Sequence, residues 1–285
     1  MPNPGRASRA QGRIGLSRST KRILLGAPLI VAAFCFGCVC AQLGQAYDLV
    51  LFPSADLLWL LLQIIVSLWL LSVTGGLAAA LVRPAWAGIA AFVLSALAIM
   101  AGWWTVAAVA ALLLYVVAGV LYVDRVVRDM KERVTFSPRP ISEAQATWMI
   151  CLVLLACLAL YFGIAEHIEQ EGFTIPSGYV EGIVDRLEAA VETFLPELVR
   201  EFALDAIREA LAFGVDEVLV RAISPFEGLI PLIVAGGLFA PLLTVTRLLA
   251  WVPALALRGL FAGLKSLGVV RVVRATREVE RLIVR

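Results

Sequence analysis

The chain has one histidine, His167, set in Glu166-His167-Ile168-Glu169-Gln170-Glu171. On a continued helix His167 and Glu171 stand one turn apart, with Glu166 beside them, so an imidazole nitrogen and carboxylate oxygens could meet a zinc ion. A structural site needs four protein ligands and a catalytic one three, and two neighbouring ligands without a third recur by chance. The plainer reading is a polar cap at a helix end, and no metal ligand is assigned. A single histidine also excludes His-rich centres and leaves only one candidate base for a Ser-His-Asp arrangement. Glu166, His167 and Glu169 form the one cluster on which a membrane-surface enzyme could be built. No catalytic residue is assigned.

Cysteine is the next reactive type. Cys35-Phe36-Gly37-Cys38 has C-x-x-C spacing, and Cys40 follows. Redox motifs of that spacing work at exposed helix starts, where the thiol pKa is lowered. Here the motif lies inside an apolar run, so the thiols read as small packing groups, as do Cys151 and Cys157. The glycines show neither G-x-G-x-x-G nor Walker spacing, so no nucleotide or other cofactor is expected. No basic cluster is interleaved with aromatics as a nucleic-acid surface would require.

The elements that hold these residues are long apolar runs. Hydrophobic residues make up 61% of the chain and charged ones 16%, against about 45–50% and 25% in soluble domains. A spanning helix needs about 20 mostly apolar residues. Runs at 23–41, 57–82, 86–101, 103–123, 147–165 and 228–253 meet or approach that length. The sequence therefore predicts an all-α polytopic integral membrane bundle of about six transmembrane helices, with a small helical extracytoplasmic segment. Residues 1–22 form a basic tail, 124–146 a basic-rich loop, 166–227 an acidic segment and 254–285 a second basic tail.

Charge gives these runs an orientation. Arg6, Arg9, Arg13, Arg18, Lys21 and Arg22 precede the first run, while only Asp48 and Asp56 lie between it and the second. Arg125, Arg128, Lys131 and Arg133 fall between the fourth and fifth. Segment 166–227 has 14 acidic residues against four Arg, a net charge of −10. Lys and Arg accumulate on the cytoplasmic side, so both termini are expected in the cytoplasm of a cell-membrane protein. The first run reads as an uncleaved anchor, since it is longer than the roughly 7–15 residues of a signal-peptide core. Cleavage after Val39-Cys40-Ala41 would leave the remaining topology unchanged, and Cys38 is a poor lipoprotein site.

Helix ends are also marked. Ser142 with Gln145 matches a capping box before the fifth run. Ser224-Pro225-Phe226-Glu227 matches an N-cap, a first-position proline and a reciprocal Glu before the sixth. Pro231 and Pro241 fall inside that last run, with a kink expected near Pro241 and an end near Pro253. Gly102 divides the third and fourth runs as a tight hairpin. Trp59, Trp103 and Trp104 are expected at the outer interface and Trp86, Trp148 and Trp251 at the inner one, with Trp69 at mid-span.

Two amphipathic elements flank the last run. Val180, Ile183, Leu187, Val191 and Leu195 recur at helical spacing in the acidic segment, and the pattern resumes through Leu198, Phe202, Ile207 and Leu211. Their acidic polar faces suit packing on one another, on the spans or on another subunit. In the tail, Val269, Val272, Thr276 and Ile283 share one face opposite Arg271, Arg274, Arg281 and Arg285. With Arg258 and Lys265 these cations are expected to meet an anionic leaflet or a partner. The Gly259/Gly263 pair lies beyond the sixth run and argues little for helix dimerisation.

None of the spans carries an ionisable residue in its interior; Arg247 lies near an end, where it can snorkel. That counts against a proton-coupled carrier or pump. The expected role is a non-enzymatic membrane scaffold or accessory subunit, embedded in the lipid bilayer and binding a protein partner or further copies of itself. A channel for a small uncharged solute, using the sixth helix and the polar face of the second, is the alternative. A membrane enzyme is third, and no small-molecule ligand is specified.

Overall fold

The computed structural model describes residues 18–51, 55–82, 84–132, 139–172 and 224–266. These residues are helical, without a strand. We number the helices α1 (Arg18–Gly44), α2 (Tyr47–Leu51), α3 (Ala55–Leu81), α4 (Ala85–Gly102), α5 (Val106–Glu132), α6 (Arg139–Glu171), α7 (Ile230–Leu248) and α8 (Trp251–Ser266). Six of them, α1 and α3 to α7, contain stretches long and apolar enough to cross a membrane. Backbone polar groups have no water to bind in hydrocarbon, so apolar chain there satisfies them within helices. The described residues form a polytopic helix bundle of six such helices.

Four of the six run past their apolar cores. α5 continues through Asp124, Arg125, Arg128 and Asp129 to Glu132, where a loop from residue 124 was expected. α6 begins at Arg139 and extends to Glu171, past both predicted ends of 147 and 165. α1 begins at Arg18 and contains Pro28, while α3 begins at Ala55. Hydropathy marks where hydrocarbon would lie, whereas a helix ends where its hydrogen bonding does. In these four the expected bounds mark the apolar core, and the helix itself runs beyond it.

One of the expected starts is corrected. Ser142 lies inside α6, so it cannot be an N-cap, and Gln145 reaches another helix instead. Helical structure before the sixth run does begin at Ser224, as a 3-10 helix over Ser224–Leu229 that passes directly into α7 at Ile230. Pro231 consequently falls in the first turn of α7, where its missing N–H breaks no bond. Pro241 remains inside that helix. The chain turns at Leu249 and Ala250, and Pro253 sits in the first turn of α8 rather than at the end of a longer sixth helix. The tight hairpin between α4 and α5 is present. Trp103 N–H donates to Ile99 O at 2.9 Å, and Thr105 caps α5 by accepting from Ala108 N–H at 3.2 Å.

α1 packs on α3, α4 and α6, and α6 packs on α1, α3, α5 and α7. Small residues bring these helices close, as is common in membrane bundles. A Cβ on Gly102 of α4 would lie 2.8 Å from Cys38 N and 2.9 Å from Phe34 O of α1. Where α1 meets α6, a Cβ on Gly163 would overlap the Gly44 backbone. α7 is peripheral, packed on α6, and α8 folds back onto α3 through Leu257 and Phe261.

Candidate functional site

Four aromatic rings meet between α4, α5 and α6. Phe92 stands edge-on to Trp148 at 5.4 Å between centroids, and Tyr115 meets the same indole at 5.1 Å. Tyr122 stacks on it at 5.6 Å and 22°. Such pairs add about 0.5–1.5 kcal/mol each beyond their buried area. Trp148 is only 1% exposed, so it is a core residue and not the interfacial anchor expected. Trp103, at 3%, is also buried, while its neighbour Trp104 is 79% exposed. Trp59, Trp86 and Trp251 are exposed and keep positions compatible with anchoring.

Polar side chains join the helices around these rings. Gln145 Nε2 donates to Ser72 Oγ at 2.6 Å, tying α6 to α3 with both residues buried. Ser95 Oγ and the Tyr115 hydroxyl lie 2.8 Å apart, tying α4 to α5. Ser67 and Thr74 donate to carbonyls of their own helix, at Ile64 and Leu70. Thr246 does the same to Leu242. The Tyr122 hydroxyl and the Trp148 and Trp69 indole N–H groups are buried without a partner among the described residues. The Trp148 N–H faces α3, since a Cβ on Gly75 would sit 3.5 Å from its nitrogen.

A cleft of about 550 Å³ opens beside this cluster, between α5 and α6. That is within the roughly 300–1,000 Å³ of small-ligand sites. Its wall runs from Leu114 and Val117 through Leu121 to Tyr122, with Trp148 and Cys151 opposite. Asp124, Arg125, Arg128 and Asp129 stand at its charged end. Arg128 pairs with Asp124 one turn earlier. Arg125 and Asp129 make no ion pair among the described residues. Residues 124 to 129 looked like part of a loop in the sequence; only the continued helix sets them beside the aromatic wall. A smaller cleft of about 260 Å³ lies among Gln42, Gln45, Asp56, Trp59 and Gln63.

The sequence candidates fall elsewhere. His167 lies on the last turns of α6, half-buried, its ring 4.1 Å from that of Tyr47 in α2. Glu166 is exposed and accepts from Gln170 Nε2 at 3.3 Å. Glu171 is on the same helix one turn after His167, as the spacing requires. Among the described residues no three His, Cys, Asp or Glu side chains gather as a metal site would need. Cys35 is exposed, Cys38 half-buried and Cys40 buried, all unbonded thiols. Arg258 and Lys265 are exposed on α8. Arg271, Arg274, Arg281 and Arg285, with the tail stripe from Val269 to Ile283, lie outside the described residues, as do the amphipathic patterns of 173–223.

Compared with known proteins, the chain matches no family model, no curated protein and no solved structure.

Proposed function

We propose that the chain is a non-enzymatic scaffold or accessory subunit of the cell membrane, with both termini cytoplasmic, that binds a partner through its acidic segment or its basic tail. One observation carries this reading. Each buried Ser, Thr and Gln side chain among the described residues is engaged, with a second helix or with its own backbone. Hydroxyls and amides that already have partners make joints between helices, whereas a solute path needs groups free to replace hydration. The two elements a pore would use are also differently placed: among the described residues α7 packs on α6, while Ser67, Ser72 and Thr74 of α3 are buried in the bundle. The charge that remains for recognition is concentrated outside the spans, at −10 over residues 166–227 and in the Arg-rich tail.

The test combines reconstitution with purification. The purified chain in liposomes should leave glycerol and urea permeation at the lipid background. From native membranes it should retain a partner at fixed stoichiometry, lost when the acidic residues of 173–223 are neutralised or when residues 267–285 are removed. Protein-dependent solute flux would replace this reading with the channel. Reporter tags near Asp48 and Glu192 should report outside and tags at either terminus inside; a cytoplasmic signal near Glu192 would overturn the topology.

A further inference from the structure

The cleft between α5 and α6 combines three features that lipid tails alone do not explain. Its wall is apolar from Leu114 to Tyr122, about 12 Å at the helical rise of roughly 1.5 Å per residue, and the charged residues lie beyond it. That is most of one leaflet's half of a hydrocarbon core about 30 Å thick. Its charged end carries two cations and two anions, Arg125 and Arg128 with Asp124 and Asp129. Because Arg128 is held by Asp124, the charged lining left for a ligand among the described residues is one guanidinium, Arg125, and one carboxylate, Asp129. The third feature is Tyr122, which lines the cleft and has a buried hydroxyl without a partner among the described residues. Buried polar atoms are rarely left so.

We propose that this cleft binds one zwitterionic, amine-headed glycerophospholipid, with its phosphate on Arg125, its ammonium on Asp129 and an acyl chain along Leu114, Val117 and Leu121. Charge complementarity selects that occupant. A guanidinium presents paired donors suited to phosphate oxygens, and Asp129, half-buried near the same mouth, can pair with an ammonium that a singly anionic headgroup lacks. An acyl chain fits the apolar wall. The cleft opens on the outside of an α5–α6 pair whose outward residues Val117 and Leu121 are exposed, so a lipid enters sideways from its leaflet without crossing the bundle.

Native mass spectrometry of the full chain tests this, after delipidation in detergent and titration with phosphatidylethanolamine or phosphatidylglycerol of identical chains. Phosphatidylethanolamine should form a saturable one-to-one adduct. Arg125→Gln should weaken it about tenfold, the loss expected for one charge-assisted hydrogen bond. Asp129→Asn should remove the preference over phosphatidylglycerol. Thr147→Trp, at an exposed position of the lining, should block the adduct by filling the cleft. Asp48→Asn on α2, exposed and outside the cleft lining, is the control and should change nothing. Non-saturable adducts, or a one-to-one adduct untouched by both Arg125→Gln and Thr147→Trp, would overturn the site. Tighter binding of phosphatidylglycerol by the unaltered chain would overturn the zwitterionic assignment. Thermal unfolding in the same detergent separates lost binding from lost fold, and the exposed position of Arg125 keeps that variant informative.

Discussion

Removing the Ser72 hydroxyl isolates the bond that ties α3 to α6. Gln145 is 4% exposed and Ser72 is fully buried, and their contact of 2.6 Å is short for an N–H donor. Ser72→Ala leaves the Gln145 amide enclosed without its acceptor. In a soluble protein that orphaning costs about 1–3 kcal/mol. In a membrane bundle the figure is lower, because the unfolded state in detergent or lipid also finds partners. Interhelical pairs there average about 0.6 kcal/mol and reach about 1.7. The short distance and the full burial place this pair toward the upper part of that range. Ser72→Ala should therefore destabilise by about 1–1.5 kcal/mol. Gln145→Met keeps most of the side-chain volume and should cost a similar amount, but Ser72→Ala with Gln145→Met together should cost little more than either alone. The assay is unfolding by SDS in mixed micelles, followed by circular dichroism, for the four members of the cycle. A coupling energy below about 0.3 kcal/mol, within the scatter of independent sites, would refute the bond as a stabilising link.

Two further outcomes follow from the packing. Gly163→Leu should separate α1 from α6 at the Gly44 contact and destabilise by about 3 kcal/mol or more, whereas Gly236→Ala on α7, with open space around its Cβ, should be neutral or stabilise by up to about 1 kcal/mol in the same SDS titration. Opposite signs are the point of the comparison, and equal losses would contradict the assigned crossing. His167→Ala should lose the ring contact with Tyr47, about 0.5–1.5 kcal/mol, and leave metal content unchanged; stoichiometric zinc present before the substitution and absent after it would restore the metal reading.

The six spans were legible in sequence because spanning is a nearly one-dimensional property. About 20 apolar residues with charges at the margins suffice to specify a helix in hydrocarbon, whatever its neighbours do. The hairpin at Gly102 was legible for the same reason, as was the helical spacing of His167 and Glu171. Which side of each helix faces inward was not. In water a buried face declares itself by contrast with a polar one, but lipid and bundle interior are both apolar, so the contrast disappears. Trp148 in the core and Trp104 at the surface therefore look alike in the chain, and Gly163, pressed on Gly44, looks like Gly236, whose added Cβ would meet nothing among the described residues. Gln145 matched a cap by spacing to Ser142, yet its partner Ser72 is 73 residues away, a pairing no local pattern encodes. The cleft belongs to the same class. Its residues are ordinary one by one, and only the packing of α5 on α6, with both helices continuing past the hydrocarbon, sets Arg125 and Asp129 at the end of an apolar wall.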